Sequence, residues 1–174
     1  MRWGCCIGIA MGICAVTAAS GPAWADDDPL KPVPAAECQS FASQLQDATG
    51  IPMKADEDDF SDINTGDDGR SCHIVGTASG KTFANPDEVM EKISHVFGDW
   101  HEDPERADSG PDGADDGYTK DNRLAVVGVS WEPGGGITCS EKEPLSACKI
   151  TPQQKLWTAM IDIVVVEKAA KSGK

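Results

Sequence analysis

The amino-acid sequence predicts an α+β fold: a small, mainly antiparallel sheet with two helices on one face, in the order helix, strand, helix, strand, strand, tied by two disulfides. Three observations point to it. Apolar residues recur at helical spacing in two stretches. Three other stretches alternate with the two-residue period of a strand. Four cysteines, Cys38, Cys72, Cys139 and Cys148, fall within or beside these elements.

Residues 26–34 carry three acids and three prolines and read as an extended lead-in. A helix is expected over 35–48, where Cys38, Phe41, Ala42 and Leu45 share a face and Gly50 followed by Ile51-Pro52 gives the stop. Residues 54–70 are acidic and rich in turn formers, so they read as a loop that Phe60 and Ile63 pin to the core. A strand follows over 71–79, with Cys72 and Ile74 on one face and His73 and Val75 on the other. Asn85-Pro86-Asp87-Glu88 then supplies an N-cap, a proline at N1 and a glutamate able to return a hydrogen bond to the cap. The apolar stripe Val89, Met90, Ile93, Val96 and Phe97 extends this second helix over 86–97.

Residues 99–121 read as a long loop of Asp, Gly and Pro. The strand expected at 123–132 sets Leu124 and Val126 opposite Ala125, Val127, Val129 and Trp131. Pro133 and three glycines break it, and a short cysteine-closed loop leads to the last strand, 154–167. There Trp157, Ala159, Ile161, Ile163 and Val165 face away from Thr158, Met160, Asp162 and Val164. Residues 35–167 thus form a single domain, and 168–174 a flexible basic tail.

The compartment follows from the N-terminus. Arg2 opens a short positive region, residues 3–19 carry no charge, and Gly21-Pro22 precedes Ala23-Trp24-Ala25, whose small residues suit a signal peptidase. Residues 1–25 therefore read as a signal peptide. The apolar run is too short to span a bilayer, so no membrane insertion is expected after cleavage, and the protein is expected to be periplasmic or secreted. Cys5, Cys6 and Cys14 leave with the leader. The four remaining cysteines allow three pairings. Cys139–Cys148 closes a short loop and Cys38–Cys72 joins a helix to a strand, and these are the expected bridges. No C-x-x-C spacing supports a thiolate metal site.

A net charge of −14 repels phosphate backbones, so nucleic acid is not an expected partner. A basic protein, a cationic peptide or a metal cation is compatible with it. The acids concentrate in two places: seven in 54–69 and nine in 99–121. No cofactor is expected, though calcium is compatible with such loops. Its candidate ligands are Asp62, Asn64 and Asp67 in the first loop and Asp112, Asp115 and Asp116 in the second. Neither stretch completes an EF-hand. Trp100 and Tyr118 stand at opposite ends of the second loop. They either pin it down or join Asp108, Asp112, Asp115 and Asp116 in a binding surface.

No catalytic residue is assigned. His95 and His101 lack an H-E-x-x-H frame, and no G-x-S-x-G elbow is present. The glycine-rich stretch 76–82 is one residue short of a phosphate loop, and the S-x-x-K at Ser146 lacks its partner motifs. The function expected is an exported soluble binding module, an inhibitor or accessory factor for a cationic partner. The alternatives are a calcium-binding envelope domain using 54–69 and 99–121, and a small envelope hydrolase. The sequence carries no signal for oligomeric state.

Overall fold

The computed structural model describes residues 29–140 and 147–167. The expected leader at 1–25, residues 26–28 of the lead-in, residues 141–146 of the cysteine-closed loop and the expected tail at 168–174 lie outside the described residues.

Helix α1 (Ala35–Thr49) buries Cys38, Ala42, Leu45 and Thr49, one face at helical spacing. It ends where Gly50 turns left-handed (φ 65°) and donates its N–H to the Gln46 carbonyl at 2.7 Å. Helix α2 (Pro86–Ser94) starts at Asn85, whose side chain accepts the Glu88 N–H at 3.0 Å. The Glu88 carboxylate reaches back one residue further than expected and accepts the Ala84 N–H at 2.9 Å. The helix is also shorter than its apolar stripe. Beyond Ser94 the chain tightens into turns in which Val96 donates to the Ile93 carbonyl and Phe97 to that of Ser94.

The sheet corrects the sequence expectation. It has eight strands and is mixed, not small and mainly antiparallel. The strands are β1 (Leu30–Pro32), β2 (Met53–Ser61), β3 (Asp68–Ser79), β4 (His101–Glu102), β5 (Asp108–Ser109), β6 (Gly113–Lys120), β7 (Arg123–Pro133) and β8 (Lys155–Val166). Their spatial order is β2-β3-β1-β8-β7-β6-β4, with β5 also on β6. The three expected strands are present as β3, β7 and β8. The stretch 54–70 read as a loop is β2 and the start of β3, the stretch 99–121 contains β4, β5 and β6, and the proline-rich lead-in contains β1.

The cause is physical. β2 pairs with β3 from Met53↔Gly76 to Ser61↔Asp68, yet Asp56, Glu57, Asp58 and Asp59 in its middle are all exposed. An edge strand carries such charges without cost to the core, and they oppose pairing with another chain. β1 fits where β3 and β8 part company beyond Cys72↔Ile163. It runs parallel to β3 at Leu30↔Gly69 and antiparallel to β8 at Leu30↔Val166. A Cβ at Gly69 would overlap the Leu30 backbone, so the close approach requires glycine.

One face of the sheet packs against both helices. Cys72 and Ile74 of β3, Ala125 to Trp131 of β7 and Trp157 to Ile163 of β8 contribute alternate residues, and Leu45, Val89, Ile93 and Phe97 meet them from the helix side. At one end of this core the Lys155 ammonium lies over the rings of Trp131 (4.1 Å) and Trp157 (5.2 Å) and donates to the Ala84 carbonyl at 3.1 Å. Burial holds its pKa below the ordinary lysine value. Both expected disulfides are present: Cys38–Cys72 ties α1 to β3, and Cys139–Cys148 closes the connection between β7 and β8. Among the described residues no helix is long and apolar enough to cross a membrane.

Loop length ranks the two bridges. Cys38–Cys72 spans 34 residues and Cys139–Cys148 spans 9. On chain entropy alone, removing the first costs about 4 kcal/mol and the second about 2.5 kcal/mol. Urea unfolding of the paired Cys→Ala variants is expected to show the larger loss for Cys38/Cys72. The reverse order would contradict the placement of that bridge in the core.

Candidate functional site

Among the described residues, the other face of the sheet carries no helix. At one end it holds a small apolar cluster, Leu30, Leu124 and Val164, with Phe60, Val126 and Val166 packed beside them. Over the sheet come two connections: residues 62–67 between β2 and β3, with Asp62 and Asp67, and residues 103–107 between β4 and β5, with Asp103 and Glu105.

A single side chain joins them. Arg106 donates from Nη1 to Asp62 Oδ1 at 2.9 Å and from Nη2 to Asp62 Oδ2 at 2.7 Å, while its Nε donates to Asp103 Oδ2 at 3.0 Å. The bidentate fork is the strongest geometry an arginine and a carboxylate can adopt. Side-chain exposure is 9% for Arg106 and 3% for Asp62, so the pair is shielded from solvent. Each partner is also fixed locally. Asp62 Oδ1 accepts the Asn64 N–H at 2.9 Å, closing an Asx turn, and the Arg106 N–H donates to the Asp103 carbonyl at 3.0 Å. The alkyl stem of Arg106 lies flat on β6. A Cβ at Gly117 would stand 2.5 Å from Arg106 Cδ, so glycine at 117 is what lets the arginine reach across.

Burial pushes the Asp62 carboxyl up, but the hydrogen bonds from Arg106 and from the Asn64 N–H outweigh it and leave the pKa below the ordinary aspartate value. A depressed folded-state pKa gives stability that is present above the unfolded pKa and is lost as pH falls through the folded one.

Beside this clasp is a cleft of about 370 Å³, with Ile63 and Asn64 on one wall, Glu105 to Asp108 on the other and Asp115 and Val126 below. Asp108 and Asp115 stand directly opposite each other in the β5–β6 pairing. Like charges so placed repel, and neither has a cation within ion-pair distance among the described residues. Asp115 Oδ1 lies low on the sheet, 3.0 Å from where a Cβ on Gly128 would be. Burial first, and Asp108 second, raise its pKa above the ordinary value. A further hollow of about 430 Å³ runs round the sheet edge toward α2 and is lined by Asp87, Met90 and the same two aspartates together with Asp116. Ile63, expected to pin its loop to the core, is instead 92% exposed, and Met160, on the open face, is 47% exposed.

The remaining candidates are placed elsewhere. Tyr118 is buried on the helix side, stacked on Phe97 at 5.0 Å, with its hydroxyl donating to Asp116 Oδ2 at 2.6 Å. Burial, then Asp116, push the phenol above its ordinary range. Trp100 meets Phe41 and Phe97 edge-on at 6.0 and 5.3 Å. The two aromatics therefore pin the chain on the helix side, away from Asp108 and Asp115. Asp115 and Asp116 project to opposite faces of β6, and Asp112 is exposed just ahead of it. Asp62 is held by Arg106, Asn64 lines the cleft, and Asp67 lines a separate pocket. Among the described residues no group of three or more His, Cys, Asp and Glu is arranged to hold a metal ion.

Ser71, His73 and Asp162 meet on the open face. The Ser71 hydroxyl donates to Asp162 Oδ1 at 2.6 Å, and His73 Nδ1 lies 3.0 Å from the same oxygen. The serine is fully buried and bonded to the acid, not to the histidine, so it lacks the base contact a nucleophile needs.

The sequence reading missed Arg106 and Gly117. The available signal was that Arg106 is the one arginine in the acid-rich stretch 99–121. No protein-family model, curated protein or solved structure matches this chain.

Removing one partner of a buried ion pair strands the other. Arg106→Ala and Asp62→Asn are each expected to cost about 3–5 kcal/mol in chemical unfolding at neutral pH. Arg106→Lys is expected to recover little, because an ammonium cannot make the fork. A loss under 1 kcal/mol for Arg106→Ala would show that the clasp does not hold the loops.

Proposed function

We propose that this chain is an exported binding domain whose acid-lined cleft on the open sheet face takes a basic protein or peptide, as an inhibitor or accessory factor would. The observation that carries the reading is the Asp108–Asp115 pair. Two carboxylates face each other in register, have no cation among the described residues and stand between two hollows. A lysine or arginine entering there relieves their repulsion. Its aliphatic stem has exposed Ile63 and partly buried Val126 to lie against.

Other charges support the choice of partner. Three basic groups near the acidic stretches are already committed: Arg70 to Glu57 and Asp59, Arg106 to Asp62 and Asp103, and Lys120 to Asp99. The field left over is negative and steers cations toward the cleft. Export is supported by the leader sequence and by the two disulfides, which persist in oxidising compartments.

Calorimetry with an octalysine peptide at low salt tests this. Asp108→Asn/Asp115→Asn is expected to weaken binding about tenfold while raising the melting temperature of the free protein, since it removes an internal repulsion. Asp56→Asn/Asp58→Asn on β2 removes the same charge and is expected to matter far less. Equal effects from both double variants would mean diffuse attraction and overturn the cleft. Because the Asp115 pKa is raised, affinity is expected to begin falling, as pH is lowered, at a higher pH than an ordinary aspartate would give.

A further inference from the structure

Under the Arg106–Asp62 clasp, on the side away from the cleft, is a pocket of about 250 Å³. Its floor is apolar: Leu30, Leu124 and Val166, the cluster that packs on the open face. Its rim is polar and acidic on balance, with Asp62, Asp67, Asp103 and Asp121 against two arginines. Asp67 and Asp121 have no paired cation among the described residues, and Asp121 holds its place in the β6–β7 turn at φ 56°. Two arginines also line the pocket, and both are ion-paired. Arg106 spends its donors on Asp62 and Asp103, and Arg123 binds Glu37 at 2.6 and 3.1 Å.

We infer that this pocket binds a primary ammonium group carried on a short hydrocarbon chain. An apolar floor receives a hydrocarbon, and unpaired carboxylates at the rim receive the ammonium. An anionic head meets four carboxylates here, and among the described residues both guanidiniums at the rim are already ion-paired. The volume lies below the ~300–1,000 Å³ of drug-sized sites, which limits the chain to a short one. The ammonium is either that of a free alkylamine or that of a lysine side chain. Asp108 and Asp115 do not line the pocket, so the inference stands apart from the partner proposed above.

Titration of the ¹⁵N-labelled, disulfide-bonded protein with hexylammonium chloride, followed by amide shifts, tests it. Saturable shifts are expected at Leu30, at Thr119 to Leu124 and at Val166. Sodium hexanoate and ammonium chloride are expected to leave these amides unmoved, since one lacks the cation and the other the chain. Asp67→Asn/Asp121→Asn is expected to weaken hexylammonium about fivefold without lowering the melting temperature. A capped Gly-Lys-Gly peptide shifting the same amides would assign the lysine source, and hexylammonium alone doing so would assign the free amine. Either result supports the pocket. Equal shifts with hexanoate, shifts spread over the acidic surface, or no loss in the double Asn variant would overturn it.

Discussion

The open face of this protein depends on one shielded ion pair. Two connections that each carry two acids meet across the sheet, and among the described residues Arg106 supplies the positive charge between them, gripping Asp62 at 2.7 and 2.9 Å and Asp103 at 3.0 Å. Taking these groups out of water is costly, and the bidentate geometry with the added Asx-turn bond is what offsets it. The pair is above all a determinant of geometry: few other arrangements leave a buried carboxylate and guanidinium satisfied. Arg106 sits on the wall of both the cleft and the pocket, so the position of each follows from it.

The two faces of the sheet divide the work. The helix face is a conventional core of alternate strand residues, locked to α1 by Cys38–Cys72 and closed by the Phe41, Phe97, Trp100 and Tyr118 rings. The other face has a small apolar cluster, exposed Met160 and Ile63, and carboxylates in excess of cations. Excess like charge destabilises a compact state, and partial burial together with Asp108 holds Asp115 above its ordinary pKa. A site that tolerates such repulsion when empty gains most when a cation arrives, which is the physical basis of the binding reading.

The legible part of the fold is the part with periodic apolar residues. Alternation in 71–79, 123–132 and 154–167 placed Cys72, Ile74, Val127, Trp157 and Ile161 on one face, and they share it in the structure. Cysteine spacing indicated both disulfides. The missed strands share a different property. β2 carries Asp56 to Asp59 at an exposed edge, β6 reads Gly-Ala-Asp-Asp-Gly, and β1 contains a proline, so none shows the period that marks a strand. Their pairing is imposed by neighbours already in place, a tertiary effect that local pattern does not carry. The clasp was illegible for the same reason: Asp62 and Arg106 are 44 residues apart, and nothing in either segment names the other. The aromatic pins and the acid pair were legible as residues but not as places. Tyr118 and Asp115 are three apart, yet alternation and the short β5 strand send them to opposite faces.

The central claim is that Arg106 and Asp62 act as one unit. A double-mutant cycle with Arg106→Ala, Asp62→Ala and both together, read by urea unfolding at neutral pH, measures it directly. The account expects a coupling energy of about 2–3 kcal/mol, the double variant losing that much less than the two singles summed. Additive losses, with coupling within about 0.5 kcal/mol of zero, would contradict it.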